Sequence, residues 1–288
     1  MQELINLINK NLDKYLEVIY PQDIFEAMRY SVLADGKRLR PVMCLETCKL
    51  FGGKIEDAIP MACAIEMLHA QSLIHDDLPC MDNDDYRRGK LSNHKVYGEA
   101  MAVLAGDALL TFAPQMIIQK SAIDTTKKLK IVEEYCIAAG AYGLIAGQVV
   151  DIKSEGKEIS SDTLNFIHIH KTASLFVLAI KTGAIIAGAS ANQILAMQEF
   201  AVKLGLAFQI CDDILDETSS FEKMGKTLGK DKEAQKPTYT SFFGLEKSRD
   251  EVVCLLDKAY DIISVQGIKS EIFNKIINDI KERAFSVR

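Results

Sequence analysis

The sequence contains no tryptophan, only six prolines, and no excess of basic residues over its 288 positions. Because 34 Lys and Arg face 40 Asp and Glu, the formal net charge is −6, which argues against a nucleic-acid partner. No Pro/Ser-rich linker or shift in composition marks a boundary, so we expect one domain over residues 1–288. A hydrophobic content of 48% supports a sizeable core and excludes a disordered chain.

The sequence also lacks the signs of an oxidised or membrane-inserted protein. Its seven cysteines form no CxxC pair and lie mostly in apolar runs, which indicates reduced, buried thiols and a cytoplasmic protein. The first residues do not show the basic-then-apolar order of a signal peptide. The most apolar stretch, 175–191, has Lys181 near its middle, and a central Lys costs about 2.5–3.5 kcal/mol on bilayer insertion. We therefore expect a buried helix there and no stable membrane insertion.

Apolar residues recur at helical spacing along nearly the whole chain. In one stripe, Phe200, Leu204, Ala207, Cys211 and Ile214 are separated alternately by four and three residues. No run alternates with a period of two between turn signals, so we expect no strands. Two polar segments, 82–98 and 217–240, interrupt the pattern, and long loops of this kind often carry function. The predicted helices lie near 3–19, 22–34, 41–51, 56–76, 98–119, 127–153, 162–188, 193–217, 246–265 and 271–285.

Two acidic motifs each follow an apolar helical stretch: DDLPCMD at 76–82 and DDILD at 212–216. In the second motif, Asp212 and Asp216 are four residues apart and share one helix face. In the first, Pro79 would end or kink the helix and allow Asp82 to turn back. Carboxylates placed so closely repel each other unless a divalent cation binds them, and oxygen ligands select Mg²⁺, Mn²⁺ or Ca²⁺ over Zn²⁺. The alternative is that each motif is an acidic helix end exposed to solvent. That alternative is weakened because both motifs follow apolar helices, which a solvated helix end does not need.

Basic segments follow or precede these motifs: GKRLRP at 36–41, RRGK at 87–90 and GKTLGKD at 225–231. Cations at a helix start oppose the helix dipole, so the first segment indicates an anionic ligand. Each segment alone could be an ordinary solvated charge run. Together, the alternation of carboxylates with Arg and Lys fits a Mg²⁺-diphosphate site. A P-loop is absent, and His168 and His170 are spaced poorly for a shared zinc ion.

With IHKTASLF and FQICDDILD between them, these motifs stand in the order that is typical of one family, from residue 36 to about 231. The chain resembles the trans-isoprenyl diphosphate synthases. The resemblance implies an all-α, single-domain bundle of about ten or more helices around a central hydrophobic channel. It also implies a homodimer, three Mg²⁺ ions per site with Mn²⁺ as a possible substitute, and small diphosphates as substrates. The implied reaction ionises an allylic diphosphate, adds isopentenyl diphosphate to the cation and releases a proton.

The resemblance assigns roles to particular residues. Three carboxylates would bind metal, and three more would orient it or bind it through water: Asp76, Asp82 and Asp212, then Asp77, Asp213 and Asp216. The allylic diphosphate and its cation would contact Arg87, Lys171, Thr172, Gln209 and Lys226. Isopentenyl diphosphate would contact Lys37, Arg40, His69 and Arg88. One assignment has independent support, because Gln209 lies three residues before Asp212 and so shares the metal-facing side of a helix.

Product length is predicted from the floor of the hydrocarbon channel. The resemblance places Gln71 and Ser72 there, five and four residues before Asp76. Gln is smaller than the aromatic residue that many farnesyl synthases have, which favours a C20 product, whereas Phe112 could also close the channel. We expect farnesyl diphosphate (C15), with geranylgeranyl diphosphate (C20) as the alternative. A terpene cyclase would not need the second diphosphate site, and a non-catalytic partner subunit would not need both acidic motifs.

Overall fold

The computed structural model describes residues 1–218 and 236–286. These residues are almost entirely helical, as the hydrophobic periodicity predicts. A six-residue π-helical turn, His168–Ala173, joins α9 to α10. The α-helices are α1 Gln2–Tyr15, α2 Gln22–Val32, α3 Leu39–Leu50, α4 Ile55–Asp76, α5 Asn93–Tyr97, α6 Glu99–Lys120, α7 Thr125–Ala139, α8 Leu144–Ser154, α9 Ser161–Ile167, α10 Ser174–Ala187, α11 Ala191–Thr218, α12 Tyr239–Phe243, α13 Leu245–Val265 and α14 Glu271–Phe285.

Helices α4, α10 and α11 form the centre of the bundle. Helix α4 packs against α3 and α6, α10 packs against α3 and α11, and α11 packs against α13. Nearly every side chain of α4 between Ala58 and Ile74 is buried, as expected for a helix that is apolar around its whole circumference. The acidic motifs begin at or near the C-terminal ends of α4 and α11, so the core helices themselves fix where the motifs lie.

The predicted helix over 127–153 is wrong in one respect, because two glycines divide it into α7 and α8. A Cβ atom at Gly143 would lie 2.2 Å from the carbonyl oxygen of Ala138, so the turn between the helices requires a residue without a side chain. The first helix is also shorter than predicted and ends at Tyr15 instead of residue 19. Local hydrophobic periodicity does not reveal such breaks, since the apolar pattern continues on both sides of them.

The expectation of no strands is wrong at one short ribbon. Tyr86–Arg87 pairs antiparallel with Lys90–Leu91 in the polar segment after the first acidic motif. The two turn residues, Arg88 and Gly89, have φ values of 55° and 75°, as required by a tight two-residue hairpin. Strands of two residues are too short to leave an alternating pattern in the sequence.

Four helical segments, 99–120, 125–154, 161–187 and 191–218, are long and apolar enough to cross a membrane by length and composition. Lys181, in the third, forms an ion pair with Glu134 of α7 at 2.8 Å, so the charge in the apolar stretch has a partner within the bundle. Parts of α6 and α8 remain exposed, including Leu104, Ile118 and Ile145. These apolar side chains leave a surface without a partner element in the described part of the chain.

Candidate active site

Both acidic motifs line one cavity of about 520 Å³. Helix α4 ends at one side of it, α11 ends at the other, and the π-helical turn lies between them. The cavity therefore brings together residues as far apart in the sequence as Leu73 and Thr238, which are 165 positions apart. Of the predicted site residues, the following line it: Asp76, Asp82, Arg87, Lys171, Thr172, Gln209, Asp212, Asp213 and Asp216.

The chain turns back after α4, as the spacing around Pro79 predicts. The backbone N–H of Asp82 donates to the carbonyl oxygen of Asp76 at 2.9 Å, which returns the second carboxylate to the first. Burial, together with the charge of Asp82, raises the pKa of Asp76 despite the nearby Lys171. Burial also acts to raise the pKa of Asp82, but the ammonium groups of Lys171 and Lys236 lower it overall. The two carboxylates are thus held close together by backbone geometry and compensated by lysines.

Asp77 does not line the cavity and instead holds Arg87. The guanidinium Nε of Arg87 donates to Asp77 Oδ1 at 3.0 Å, and Nη2 donates to Asp84 Oδ2 at 3.1 Å. Burial raises the pKa of Asp77 to about 6, although Arg87 opposes the shift. Because Arg87 also lines the cavity, Asp77 orients a cation at the site.

In the second motif, Asp213 is buried and orders its surroundings. It accepts hydrogen bonds from Gln209 Nε2 and from the backbone N–H of Tyr239, both at 2.8 Å. His168 Nε2 lies 3.5 Å from the same carboxylate, and burial lowers the pKa of His168 to about 4. Asp212, one residue earlier, has a different partner, because its Oδ1 accepts a hydrogen bond from the guanidinium of Arg283.

The π-helical turn places Lys171 and Thr172 side by side at the cavity. Lys171 Nζ lies 2.6 Å from Asp151 Oδ2, and the hydroxyl of Thr172 donates to Gln209 Oε1. Gly147 of α8 permits this approach, because a Cβ atom there would lie 2.3 Å from the backbone nitrogen of Lys171. The wider π-helical turn therefore depends on a close contact between two backbones.

Asp151 and Lys236 also line this cavity, and neither was predicted from the sequence. Asp151 lies on α8 inside a long apolar stretch, where a single buried carboxylate is the only signal that could have identified it. Lys236 follows the second motif by twenty positions, and its Nζ lies 2.7 Å from Asp82 Oδ1. It also lies 3.4 Å from Glu155 Oε1, a second carboxylate that lines the cavity. Of the predicted residues, Lys226 lies outside the residues that the structure describes.

The second predicted group of cations lies beside this cavity without lining it. Burial lowers the pKa of Lys37, and it lowers the pKa of Arg40 to about 10, although the nearby charge of Asp212 opposes both shifts. The guanidinium of Arg40 lies 5.0 Å from the ring centroid of Phe176. Burial and four nearby arginines hold the pKa of His69 well below its usual value, so its imidazole is neutral near pH 7.

Two buried guanidinium nitrogens in this second group have no hydrogen-bond partner among the described residues: Arg40 Nε and Arg88 Nη1. A buried donor without a partner is costly, so these atoms indicate an anionic ligand. Glu66 holds two arginines of this group: Arg38 Nη1 lies 2.6 Å and Arg88 Nη2 lies 3.3 Å from its Oε1. The buried carboxylate therefore fixes both guanidinium groups, and Arg88 keeps only its Nη1 without a partner among the described residues.

The acidic residues of the cavity fit a hard cation. All of the acidic donors are carboxylate oxygens, which is the donor set that Mg²⁺ prefers. Among residues 1–218 and 236–286, no three acidic, His or Cys side chains stand close enough to enclose an ion. Mg²⁺ is usually held by one or two carboxylates plus water and substrate phosphates. The oxygens of a bound diphosphate would therefore complete the coordination shell of a Mg²⁺ ion in this cavity. The unpaired arginine nitrogens beside the cavity are consistent with that ligand.

The two residues predicted to floor a hydrocarbon channel lie one turn or more before Asp76. Gln71 and Ser72 are both buried. Gln71 Nε2 lies 3.1 Å from His75 Nδ1, and His75 Nε2 lies 3.1 Å from the carbonyl oxygen of Val103 on α6. The amide of Gln71 is therefore directed along α4 to His75, which in turn contacts α6.

An all-α bundle with two facing acidic motifs, bordered by arginines and lysines, is typical of an enzyme of the diphosphate-binding, metal-assisted class. A model of the polyprenyl synthetase family matches residues 21–280. The chain therefore belongs to this family, the trans-isoprenyl diphosphate synthases, and its fold and motif order agree with that membership.

Individual relatives are similar over most of the chain. It is 49% identical to geranylgeranyl pyrophosphate synthase 7 of Arabidopsis thaliana, a chloroplastic protein, over 89% of this chain and 75% of the relative. It is 52% identical to the large subunit 1 of a heterodimeric geranylgeranyl pyrophosphate synthase of the same plant, over 85% and 67%. A crystal structure of the Helicobacter pylori geranyltransferase with magnesium and isoprenyl diphosphate is 28% identical, with a TM-score of 0.84, over 97% of this chain and 96% of that one.

Proposed function

We propose that this chain is a Mg²⁺-dependent prenyltransferase that condenses isopentenyl diphosphate with allylic diphosphates. The observation that carries the proposal is the cavity itself, where two acidic motifs face each other beside two arginines that each have one buried nitrogen without a hydrogen-bond partner among the described residues. The magnesium in the related crystal structure supports the choice of metal. The site would hold the metal through Asp76, Asp82 and Asp212.

Two separate sets of residues would bind the two diphosphates. Lys171 and Arg87 line the cavity and would bind the allylic diphosphate as its C–O bond breaks. When bound, Mg²⁺ would neutralise the charge that develops on the leaving diphosphate. The Thr172 hydroxyl donates a hydrogen bond to Gln209 Oε1, so its oxygen lone pairs can face the allylic cation. A preorganised dipole of this kind stabilises positive charge without cost at the moment of reaction.

The second diphosphate would occupy the group beside the cavity. Lys37, Arg40 and Arg88 supply positive charge, and neutral His69 can donate one N–H to a phosphate oxygen without adding charge. The charge of Asp212 acts on two of these cations, Lys37 and Arg40, so the group adjoins the second acidic motif. The double bond of isopentenyl diphosphate can then reach the cation from the adjoining subsite. Loss of a proton from the adduct completes the condensation.

We further propose that the main product is geranylgeranyl diphosphate, in place of the farnesyl diphosphate favoured by the sequence analysis. Two observations support C20. Both plant relatives described above bear the name geranylgeranyl pyrophosphate synthase, at 49% and 52% identity. In addition, the Gln71 amide contacts His75 one turn further along α4, so this modest side chain lies along its own helix.

Incubation of the purified chain with dimethylallyl and isopentenyl diphosphates tests both proposals. After dephosphorylation, chromatography should resolve a C20 alcohol as the main product, and farnesyl diphosphate supplied as a primer should be extended. Accumulated C15 that is not extended would refute the C20 proposal but leave prenyl transfer intact. Failure to incorporate labelled isopentenyl diphosphate would refute the prenyltransferase itself.

We also propose a cytoplasmic homodimer formed through the exposed apolar side chains of α6 and α8. Leu104 and Ile118 are 54% and 55% exposed, which is unusual for large aliphatic residues on one helix of a bundle. The naming of one relative as a heterodimeric large subunit makes a different partner chain the competing outcome. Light scattering coupled to gel filtration should give twice the chain mass of 32.0 kDa, whereas a monomer that requires a partner for activity would contradict the proposal.

A further inference from the structure

Arg283, in the last turn of the C-terminal helix α14, reaches the second acidic motif. Its Nη2 donates to Asp212 Oδ1 at 3.0 Å, across 71 positions of sequence. Its guanidinium also lies 5.5 Å from the ring centroid of Phe208, so Arg283 contacts both a carboxylate and an aromatic ring of α11. The side chains of Arg283 and Asp212 are 26% and 33% exposed. The end of the chain is thus joined directly to a carboxylate that is predicted to bind metal.

The surroundings of Arg283 are rich in positive charge. The pKa of Lys37 is lowered, first by burial and second by the nearby charge of Arg283. Arg40 lies over the same Phe208 ring, at 5.9 Å from the centroid. Asp212 is therefore shared by three cations of the protein. A metal ion that approaches Asp212 would add a further charge to this group, and like charges so close together repel each other.

We propose that Arg283 is a positioning residue that holds Asp212 while the enzyme is free of metal, and that metal loading displaces it. An ion at Mg²⁺–oxygen bonding distance and a guanidinium compete for the same carboxylate. An ion pair between partly exposed side chains is weak enough for a divalent cation to displace. The inference rests on the proposed function, because it needs Asp212 as a metal ligand.

Displacement would loosen the end of α14, which a second arginine also holds. Arg249 of α13 donates its Nε to the carbonyl oxygen of Ala284 at 3.1 Å and lies 5.7 Å from the ring of Phe285. Arg249 touches the same helical turn but contacts neither acidic motif in the described structure. It therefore offers a matched control, since its removal weakens the same turn without changing the charge at Asp212.

The first experiment measures metal binding directly. Free Mn²⁺ is followed by electron paramagnetic resonance as it is added to the full chain with inorganic diphosphate. Arg283→Gln should lower the Mn²⁺ dissociation constant about two- to five-fold relative to the wild type, the size expected for one partly exposed ion pair. Arg249→Gln should leave it unchanged, and Arg283→Lys, which keeps the charge, should fall between.

The second experiment measures backbone hydrogen exchange in the peptide that covers 281–286. In the wild type, exchange should speed up when Mg²⁺ and inorganic diphosphate are added. In Arg283→Gln it should already be fast and insensitive to metal, whereas Arg249→Gln should keep the metal response. Thermal unfolding of each variant verifies that the rest of the fold is intact.

Equal Mn²⁺ affinity in the wild type and Arg283→Gln would overturn the inference, as would exchange in 281–286 that metal leaves unchanged or slows. Should Arg283→Gln fail to fold, Arg283→Lys and the exchange measured in the wild type still decide between the outcomes. If the wild type transfers prenyl groups and binds Mn²⁺ but the expected changes in Mn²⁺ affinity and hydrogen exchange are absent, only the inference about Arg283 is refuted. If the wild type neither transfers prenyl groups nor binds Mn²⁺, the proposed function is refuted as well.

Discussion

Gly147 gives the sharpest test of how the fold builds the site. Replacing it by Ala would place a methyl carbon 2.3 Å from the backbone nitrogen of Lys171 and 2.8 Å from its Cα atom. Neither atom belongs to a flexible side chain, so the methyl group cannot be accommodated by a rotamer change. Ordinary contact starts near 3.4 Å. Helix α8 and the π-helical turn must therefore separate by about 1 Å.

That separation acts on catalysis more than on folding. Asp151 lies on α8 and Lys171 on the π-helical turn, so the shift stretches their 2.6 Å ion pair and moves Lys171 within the cavity. A displacement of about 1 Å at a positioned catalytic group can cost about 100-fold in rate. Overpacking of this kind destabilises a core by about 1–3 kcal/mol, which a chain of this size can tolerate.

The assay compares two glycines. Steady-state condensation of allylic and isopentenyl diphosphates gives kcat for Gly147→Ala, and urea unfolding gives its stability. Gly53→Ala is the control, because its methyl group would lie 2.6 Å from Cys48 Sγ and 2.9 Å from the Ala187 backbone, outside the cavity. We expect comparable losses of stability but a large loss of kcat only for Gly147→Ala. If Gly147→Ala keeps half of the wild-type kcat, or Gly53→Ala loses as much, the reasoning is refuted.

Three further predictions follow from the site and its surroundings. Asp76→Ala and Asp212→Ala should each abolish turnover while circular dichroism shows unchanged helical content, and substantial residual activity in either would contradict the metal assignment. Gln71→Tyr should shorten the product, as chromatography would reveal, because an aromatic ring fills more of a channel floor than an amide; an unaltered product would place the floor elsewhere. The folded-state pKa of His168, about 4, lies below its unfolded value, so its contribution to stability is present above about pH 6.5 and is lost as pH falls towards 4. His168→Asn should flatten this dependence in urea unfolding of the metal-free protein, and an equally steep profile would disprove it.

Much of the site could be predicted because its residues lie in local motifs. Asp212, Asp213 and Asp216 share one helical segment, and Gln209 precedes them at helical spacing, so the pattern alone places them on neighbouring turns. The return of Asp82 towards Asp76 also follows from the sequence, since Pro79 sits in the turn after α4. In these cases the relevant contacts are short in sequence.

Residues that approach from elsewhere in the chain left little signal. Asp151 stands alone in an apolar stretch, Lys236 follows a long polar segment, and Arg283 belongs to a helix with no motif. Each contacts a predicted residue at 2.6–3.0 Å, across 20, 154 and 71 positions respectively. No spacing rule connects such partners, because only the packing of separate helices brings them together.

The sequence by itself determined that the chain is helical, and it predicted that the acidic motifs bind a hard cation together with an anionic ligand. Those properties depend on residue type and on spacing within one helix turn, which physical chemistry fixes locally. Only the tertiary structure decided that both motifs face one cavity, that Asp77 orients Arg87, and that Gly147 lets α8 support Lys171. The reason is that burial, charge compensation and close backbone contact are properties of elements packed together, and a linear pattern does not contain them.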